Sequence, residues 1–278
     1  MSKRLRYLYR AYRYRFRVDP GEIRFVRRSL RQGQVAVDIG CHKGAYTYWM
    51  RRCVGASGIV YAFEPQPRQA AYLREAFAAM RYDNVSLIPI AVSKTCGQMP
   101  LYMPATSTHF ASLEPRGDEA VARAGAATTT IRKMAGGAAP TSPLPSTLCP
   151  QVSVDVTTLD DFFGDSKRNL PADGCADRGP NFIKIDVEGH ELAVLEGAHR
   201  TLESHHPTIL VECEARHRPN GDVRPVFDFL ESLGYAGSFF CHGAQRPIAE
   251  FDPAVHQRID SAHDPLPSGY VNNFAFER

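Results

Sequence analysis

The segment FIKIDVEGHE, residues 182–191, constrains the fold more than any other stretch of the chain. Apolar residues alternate in it with Lys184, Asp186 and Glu188, and an amphipathic run follows Gly189 directly. A strand that leads straight into a helix is the βα unit of a parallel sheet, whose strands are usually buried on both faces. Because burying an unpaired charge is costly, the alternation predicts chemistry at the carboxyl end of this strand.

The same order of strand and helix recurs along the chain. Short apolar segments precede helical patterns at 34–40 and 58–64, and a third strand is predicted at 84–93. Further strands are predicted at 207–214, at 236–241 and at the carboxyl terminus. This rhythm is typical of an α/β, doubly wound, mostly parallel sheet with helices on both faces.

Three segments break this rhythm. Residues 1–31 are rich in aromatics and carry 11 Lys and Arg against only Asp19 and Glu22, whereas the rest of the chain has an excess of acids. Residues 96–104 predict a short hairpin strand. Residues 114–150 are rich in Ala, Thr, Gly and Pro, so they predict a mobile, low-complexity insertion that buries little surface.

The basic N-terminal segment predicts a helix over 4–18 that ends before Asp19. Its apolar residues fall in one helical stripe: Leu5, Leu8, Tyr9, Tyr12 and Phe16. One interpretation packs these side chains on the body of the protein and leaves the arginines in solvent. The other makes residues 1–31 a peripheral contact with anionic lipid or with a phosphorylated partner.

The cysteines and the hydropathy pattern bear on the compartment. Seven cysteines without a Cys-x-x-Cys pair predict a reduced, intracellular protein that has neither a zinc site nor a disulfide framework. No segment approaches the roughly 18 apolar residues of a membrane span, and the basic start lacks the apolar core of a signal peptide. We therefore expect a cytoplasmic protein that is either free or peripheral to a membrane.

The turn DIGCHKG, residues 38–44, is a candidate ligand site. Ligands of open parallel sheets bind beyond the carboxyl ends of the strands, where Gly40 and Gly44 would let a ligand approach the backbone. The turn lacks the G-x-G-x-x-G spacing of a dinucleotide site, and Asp38 suits the cationic amino group of a methionine moiety. Glu64 ends the next strand, where an acid can accept hydrogen bonds from ribose hydroxyls. A tight turn without a ligand remains the alternative.

Five motifs, in their order and spacing, resemble the FkbM-type family of S-adenosylmethionine-dependent methyltransferases. They are VAVDIGCHKGAYTYWM, VYAFEPQP, IAVS, VTTLDDFF and FIKIDVEGHELAVLEGA. The resemblance covers residues 34–214 apart from the insertion, and the KIDVEG block is its most specific part. The chain departs from the family at His42, where the family usually has Asn.

The resemblance implies a class I methyltransferase fold, Rossmann-like, with a seven-stranded sheet in residues 32–278. It implies methyl transfer from S-adenosyl-L-methionine to an oxygen, typically a hydroxyl of a sugar, a glycan or a natural product. The residues it implies for donor binding are Asp38, Gly40, His42, Gly44, Glu64, Ala91 and Val92.

The candidates for catalysis lie on or near the FIKIDVEGHE strand. Asp186 is expected to take the proton of the acceptor hydroxyl or to orient it, because a hydroxyl is a poor nucleophile before it loses its proton. Lys184 would hold Asp186 by an ion pair or stabilise the alkoxide, although a purely structural pair is an alternative. Glu188 would face the acceptor or cap the next helix. Glu212 would pair with Lys184 or line the acceptor site, and His190 is expected to be exposed.

Other functions remain open at this point. A nicotinamide-dependent oxidoreductase would need the closer glycine spacing that the chain lacks. A nucleic-acid methyltransferase is disfavoured by the acidic body, so no nucleic-acid partner is expected, but the basic start keeps this alternative. A non-catalytic scaffold with the same fold is the third. No metal site is predicted, although converging acids could also hold a divalent cation.

Overall fold

The computed structural model describes residues 2–102, 111–113, 151–164, 178–218, 220–258 and 269–278. The predicted insertion at 114–150 lies outside the described residues.

Nine α-helices occur in the part of the chain that the structure describes, and a π-helical turn, Tyr14–Val18, continues the first. They are α1 (Lys3–Arg13), α2 (Pro20–Ser29), α3 (Ala45–Val54), α4 (Pro67–Met80), α5 (Leu159–Gly164), α6 (Glu191–Glu196), α7 (His199–His205), α8 (Arg224–Ser232) and α9 (Pro253–His256). Short 3-10 turns occupy Ala215–His217 and Ile248–Glu250. None of the helices within the described ranges is both long enough and apolar enough to span a membrane.

The strands of the described residues are β1 (Val35–Ile39), β2 (Ile59–Phe63), β3 (Val85–Ile88), β4 (Ala91–Val92), β5 (Gly97–Tyr102), β6 (Gln151–Thr157), β7 (Phe182–Ile185), β8 (Thr208–Glu212), β9 (Ala236–Cys241), β10 (Ala244–Pro247) and β11 (Asn273–Glu277). The main sheet has the order β10-β9-β11-β8-β7-β1-β2-β3. Strands β3, β2, β1, β7 and β8 pair in parallel with one another, and β11 is antiparallel to both β8 and β9. The predicted α/β class with a mostly parallel sheet is confirmed.

The predicted number of strands is wrong, because the main sheet has eight strands and not seven. The additional strand is β10, which pairs antiparallel with β9 at the edge of the sheet. His242 and Gly243 form the two-residue connection, with φ of 49° and 73°. Two successive positive φ values are typical of the tight turns that match the twist of a hairpin. The sequence does not predict a strand here, because β10, AQRP, has no run of large apolar residues.

A second, three-stranded sheet lies beside the first, in the order β4-β6-β5. The hairpin strand predicted at 96–104 is present as β5, which pairs antiparallel with β6. Strand β6 therefore belongs to the second sheet and does not pair with any described strand of the main sheet. A small apolar cluster that includes Leu101, Leu113 and Val154 holds this sheet together. Its strand β4 follows β3 directly, so the second sheet stands next to the carboxyl ends of the first.

Helices cover both faces of the main sheet. Helices α5 to α8 pack on one face, in a cluster that includes Phe63, Ile185 and Phe227. Helices α1 to α4 pack on the other face, in a cluster that includes Trp49 and Phe182. The N-terminal helices therefore share a core with the sheet.

Helix α1 and the π-helical turn confirm the predicted helix that ends before Asp19. Helix α1 is buried through Tyr7 and Ala11, which are 1% and 0% exposed. Of the predicted stripe, Leu8 is partly buried against the core, whereas Leu5, Tyr9, Tyr12 and Phe16 are exposed, so the interpretation that packs the whole stripe on the body is wrong. A contact and a hydrogen bond fix this orientation: the Tyr7 ring lies where a Cβ on Gly44 would come within 2.9 Å, and Trp49 Nε1 donates to the Ala11 carbonyl over 2.9 Å.

Tyr7→Ala is expected to lower the free energy of unfolding by about 3–5 kcal/mol, because it empties a site enclosed by the rings of Tyr48, Phe77 and Tyr82. The matched control is Tyr9→Ala on the same helix. Tyr9 is 60% exposed, so its loss should change that free energy by less than about 0.5 kcal/mol. Equilibrium unfolding in urea measures both variants. Equal losses would contradict the packing of α1 through Tyr7.

Candidate active site

A pocket opens at the carboxyl ends of β1, β2, β7 and β8. The chain runs from β1 towards β2 and β3 on one side, and β7 and β8 lie on the other. This reversal of strand order is where open α/β sheets bind ligands. The wall that the described residues form includes seven of the predicted site residues: Gly40, His42, Glu64, Ala91, Val92, Asp186 and Glu212. It also includes apolar side chains, among them Phe63, Ile90 and Leu101.

The turn after β1 brings two strand ends into close contact. Gly40 has a φ of 75°, and a Cβ at this position would lie 1.9 Å from the carbonyl oxygen of Asp186. Only glycine therefore fits between β1 and β7 here. His42 has a φ of 48°, in the left-handed region that His and Asn enter more readily than most residues. That conformation gives a physical reason why His can stand where the family usually has Asn.

Glu64 joins this turn to the end of β2. Its two carboxylate oxygens accept hydrogen bonds from the backbone N–H groups of His42, over 2.7 Å, and Gln66, over 2.9 Å. The side chain is 1% exposed, and burial raises its pKa to about 7 in spite of these two bonds. Each carboxylate oxygen has two lone pairs, so Glu64 retains capacity for a ligand hydroxyl.

Two residues predicted for donor binding lie behind the wall. Asp38 is 1% exposed and accepts a hydrogen bond from Thr47 Oγ1 over 2.5 Å, while its Oδ1 has no hydrogen-bond donor among the described residues. Burial raises its pKa. Gly44 is the N-cap residue before α3 and lies against Tyr7 and Leu73. Both residues therefore stand beneath the pocket rather than in its wall.

Lys184 lies at the centre of the acids below the pocket. It is 2% exposed, and its Nζ forms an ion pair of 2.9 Å with Asp186 Oδ2 and lies 4.6 Å from the centre of the Tyr46 ring. Burial alone would lower the pKa of Lys184. The surrounding carboxylates outweigh burial and raise that pKa above its ordinary value, in falling order of effect those of Asp186, Asp38 and Glu212. The ammonium is therefore held in its charged form.

The two carboxylates that reach the pocket have different surroundings. The Asp186 side chain is 28% exposed and is held by Lys184. Glu212, at the end of β8, accepts a hydrogen bond from Asn272 Nδ2 over 2.9 Å. Burial raises the pKa of Glu212 well above its ordinary value, and the negative charge of Asp186 raises it further. The pocket therefore contains one carboxylate, Asp186, that an ion pair orients, and a second, Glu212, whose protonated form is favoured.

Glu188 lies outside the wall of the pocket. Its Oε2 is 2.9 Å from His217 Nδ1, and its φ is 53°. Just before α6, the backbone N–H of Gly189 donates to Glu191 Oε1 over 2.7 Å. The carbonyl oxygen of Glu188 accepts a hydrogen bond from Ser112 Oγ over 2.9 Å, and this bond ties the strand end to the second sheet.

The expectation that His190 is exposed is wrong. His190 is 4% exposed, and its Nε2 lies 2.8 Å from Ser93 Oγ. His190 is the residue before α6, and Ser93 is the residue after β4. The contact between them therefore joins the start of α6 to the end of β4, and His190 does not line the pocket.

Sequence reasoning missed several residues near the site. Tyr14 lines the pocket from the π-helical turn. Asp19 accepts a hydrogen bond from Tyr46 Oη over 2.8 Å, and burial raises its pKa to about 6. Hydrophobic periodicity does not identify these residues as part of a site, because the N-terminal segment is far in sequence from the motifs that form the pocket.

A second missed group follows β8, where the sequence ECEARHR places two acids before three bases. Glu214 is 2% exposed and pairs with Arg216 over 2.8 Å. Arg218 pairs with Glu191, which is 1% exposed, over 2.6 Å. The closely spaced opposite charges could have indicated buried ion pairs, since Glu is rarely buried without a partner. Among the described residues, no group of three or more His, Cys, Asp or Glu is placed to hold a metal ion.

Comparison with known proteins gives a family match. The family model of the methyltransferase FkbM domain matches residues 38–236. No curated protein sequence matches the chain.

Several solved structures are similar to this chain at low identity. A methyltransferase FkbM from Methylobacillus flagellatus shares 14% identity over 99% of this chain and 55% of that chain, with a TM-score of 0.48. A SAM-dependent O-methyltransferase from Thermotoga maritima shares 13% identity over 93% of this chain and 65% of that one, with a TM-score of 0.41. An rRNA methylase from Streptococcus thermophilus shares 10% identity over 92% and 91%, with a TM-score of 0.42. The chain thus spans about half the length of the Methylobacillus protein.

Lys184→Met is expected to lower the free energy of unfolding by roughly 3–5 kcal/mol near pH 8, because it leaves buried carboxylates without their cation. The loss should shrink near pH 5.5. The pKa of Glu212 is already raised, so the folded variant binds more protons than the unfolded chain, and the free energy of unfolding falls as pH rises.

Urea unfolding at both pH values measures this effect. Lys94→Met is the matched control, because Lys94 is 62% exposed and lies 3.9 Å from Glu196 on the surface. Its loss should change the free energy of unfolding by less than about 1 kcal/mol. A loss in Lys184→Met that is the same at both pH values would contradict the electrostatic role.

Proposed function

Because the chain belongs to the FkbM methyltransferase family, we propose that it transfers a methyl group from S-adenosylmethionine to a hydroxyl oxygen of a small-molecule or glycan acceptor. One observation supports the proposal: five of the seven residues expected to bind the donor and two of the four catalytic candidates line one pocket. Gly40, Glu64 and Ala91 form one side of it, and Asp186 and Glu212 form the other.

The donor side has the chemistry of a nucleoside site. The partly exposed Ile90 offers apolar surface to a purine, and the carboxylate of Glu64 offers acceptors to ribose hydroxyls. The close approach of backbone at Gly40 leaves no room for a side chain there. S-adenosylmethionine, when bound, supplies a methyl group attached to a positively charged sulfur.

The acceptor side has the chemistry of proton transfer. Asp186 is the carboxylate of the pair that the Lys184 ammonium orients, and its side chain is partly open to the pocket. It accepts the proton of the acceptor hydroxyl, whose oxygen then becomes a competent nucleophile. Glu212, with its raised pKa, binds a second polar group of the acceptor. Two adjacent acids suit an acceptor that carries several hydroxyls, such as a sugar.

The donor assignment predicts a pH dependence of ligand binding. Burial raises the pKa of Glu64 to about 7, so the carboxylate ionises as pH rises from 6 to 8. Ribose hydroxyls donate to the ionised form, and the affinity for S-adenosylhomocysteine should therefore increase about tenfold over this range. Isothermal calorimetry measures it. Glu64→Gln should bind more weakly and lose the pH dependence; the same dependence in this variant would rule out Glu64 as its source.

The catalytic assignment predicts that Asp186→Asn keeps its affinity for the donor while turnover falls by roughly 10²–10⁴. Asn has the size of Asp but cannot take a proton. The measurement is release of S-adenosylhomocysteine across a panel of glycans, lipid-linked sugars and RNA, with the melting temperature taken on the same samples. Methylation of RNA alone would overturn the choice of acceptor class.

The matched control is Glu212→Gln, which removes the other carboxylate of the pocket. If Asp186 is the base, Glu212→Gln should raise KM for the acceptor more than it lowers kcat. A fall in kcat confined to Glu212→Gln would transfer the role of base to Glu212. A loss of folded protein that accounts for the lost turnover of Asp186→Asn would make Asp186 a structural partner of Lys184.

A further inference from the structure

The solvent-facing side of α1 and of the π-helical turn that continues it carries a row of large apolar side chains. Leu5, Tyr9, Tyr12 and Phe16 are 53%, 60%, 41% and 63% exposed. At roughly 100° per residue, the three that belong to α1 fall within about 60° of the helix circumference, and the Phe16 ring stacks on that of Tyr12. We call these four residues the exposed stripe. The opposite side of α1 is already buried through Tyr7, so the exposed stripe is not needed to hold the helix on the sheet.

Arginines flank the exposed stripe on both sides. By the same helical geometry, Arg4 lies along one edge of α1, and Arg6 and Arg13 lie along the other. Arg15, in the π-helical turn, lies 5.0 Å from the centre of the Phe16 ring. No carboxylate among the described residues pairs with any of the four. Lys3, on the same helix, does pair with Glu75. The arginines beside the stripe thus remain available to an anionic surface.

A guanidinium pocket adjoins the exposed stripe. Arg15 and Arg27 lie 4.7 and 5.9 Å from the centre of the Trp49 ring, and Arg31 and Arg52 complete the basic lining. Within the described part of the chain, no carboxylate pairs with these four arginines. Tyr12 belongs to both features, because its ring lies 5.3 Å from that of Trp49 and 6.2 Å from that of Phe16.

We propose that α1 and the π-helical turn bind the surface of a membrane that contains anionic phospholipids. The exposed stripe enters the boundary between headgroups and acyl chains, and the flanking arginines and the guanidinium pocket contact lipid phosphates. An apolar stripe between two rows of cations is the pattern of a helix that lies in the plane of a membrane interface.

Charge and polarity favour this partner over others. Nucleic acid would satisfy the arginines but would offer no apolar phase to the exposed stripe. A second copy of the chain would cover the stripe but would bring unpaired arginines against one another. An anionic bilayer satisfies both features at once.

Co-sedimentation of the full chain with vesicles tests the proposal. Binding to vesicles that contain phosphatidylglycerol should exceed binding to pure phosphatidylcholine at least about tenfold at low salt. Tyr9→Ser/Phe16→Ser should weaken binding at least about tenfold by removing apolar contact. Arg4→Gln/Arg13→Gln should weaken it about thirtyfold, since each arginine near an anionic surface contributes on the order of 1 kcal/mol.

Matched controls lie elsewhere on the surface. Val255→Ser removes an apolar side chain that is 66% exposed. Lys94→Gln/Arg224→Gln removes two surface cations near α6 and on α8, on the other face of the main sheet. Both controls should bind vesicles as the parent does. All variants should keep the parent melting temperature, because the substituted side chains are exposed.

Each other outcome overturns the proposal. Equal binding to both vesicle types would show that anionic lipid is not recognised. Parent-like binding of Tyr9→Ser/Phe16→Ser would show that the exposed stripe does not contribute to binding. If added RNA displaces the chain from the vesicles at a lower concentration than added phosphatidylglycerol does, nucleic acid would be the partner. A dimer in sedimentation velocity that Tyr9→Ser/Phe16→Ser dissociates would make a second copy of the chain the partner.

Discussion

One buried ammonium, that of Lys184, sets the electrostatics of the site. The register of the sheet places Lys184 beside Asp38 on β1, and the same ammonium pairs with Asp186 over 2.9 Å. Glu212 on β8 contributes further negative charge. Several carboxylates could not be buried together at a junction of three strands without such a cation. The cation under the pocket holds the Asp186 carboxylate at the pocket wall.

The sequence predicts the sheet and much of the pocket because both depend on local patterns. The alternation around Lys184 and Asp186 implies a strand with a charged end, and Gly40 implies a turn that must approach another backbone closely. The eighth strand could not be predicted in this way. Strand β10, AQRP, joins the sheet through backbone hydrogen bonds after the turn at His242 and Gly243. The order of its apolar and polar side chains therefore does not indicate that it is a strand.

Periodicity also fails to tell which of two apolar faces of a helix is buried. Helix α1 has a stripe through Leu5 and Tyr9 and a narrower apolar side through Tyr7 and Ala11. The narrower side packs inward because the missing side chain of Gly44 accommodates the Tyr7 ring. That contact spans segments far apart in sequence. The same docking explains the two missed residues, because it brings Tyr14 into the pocket wall and Asp19 close to the site.

The chain contains a single tryptophan, Trp49, which is 2% exposed and bonded to the carbonyl oxygen of Ala11. Its ring lies under Arg15 and beside Tyr12, at the contact between α1 and the body of the protein. The intrinsic fluorescence of the unlabelled protein therefore reports on one location. Undocking of the N-terminal helix would expose this indole to water and shift its emission to the red.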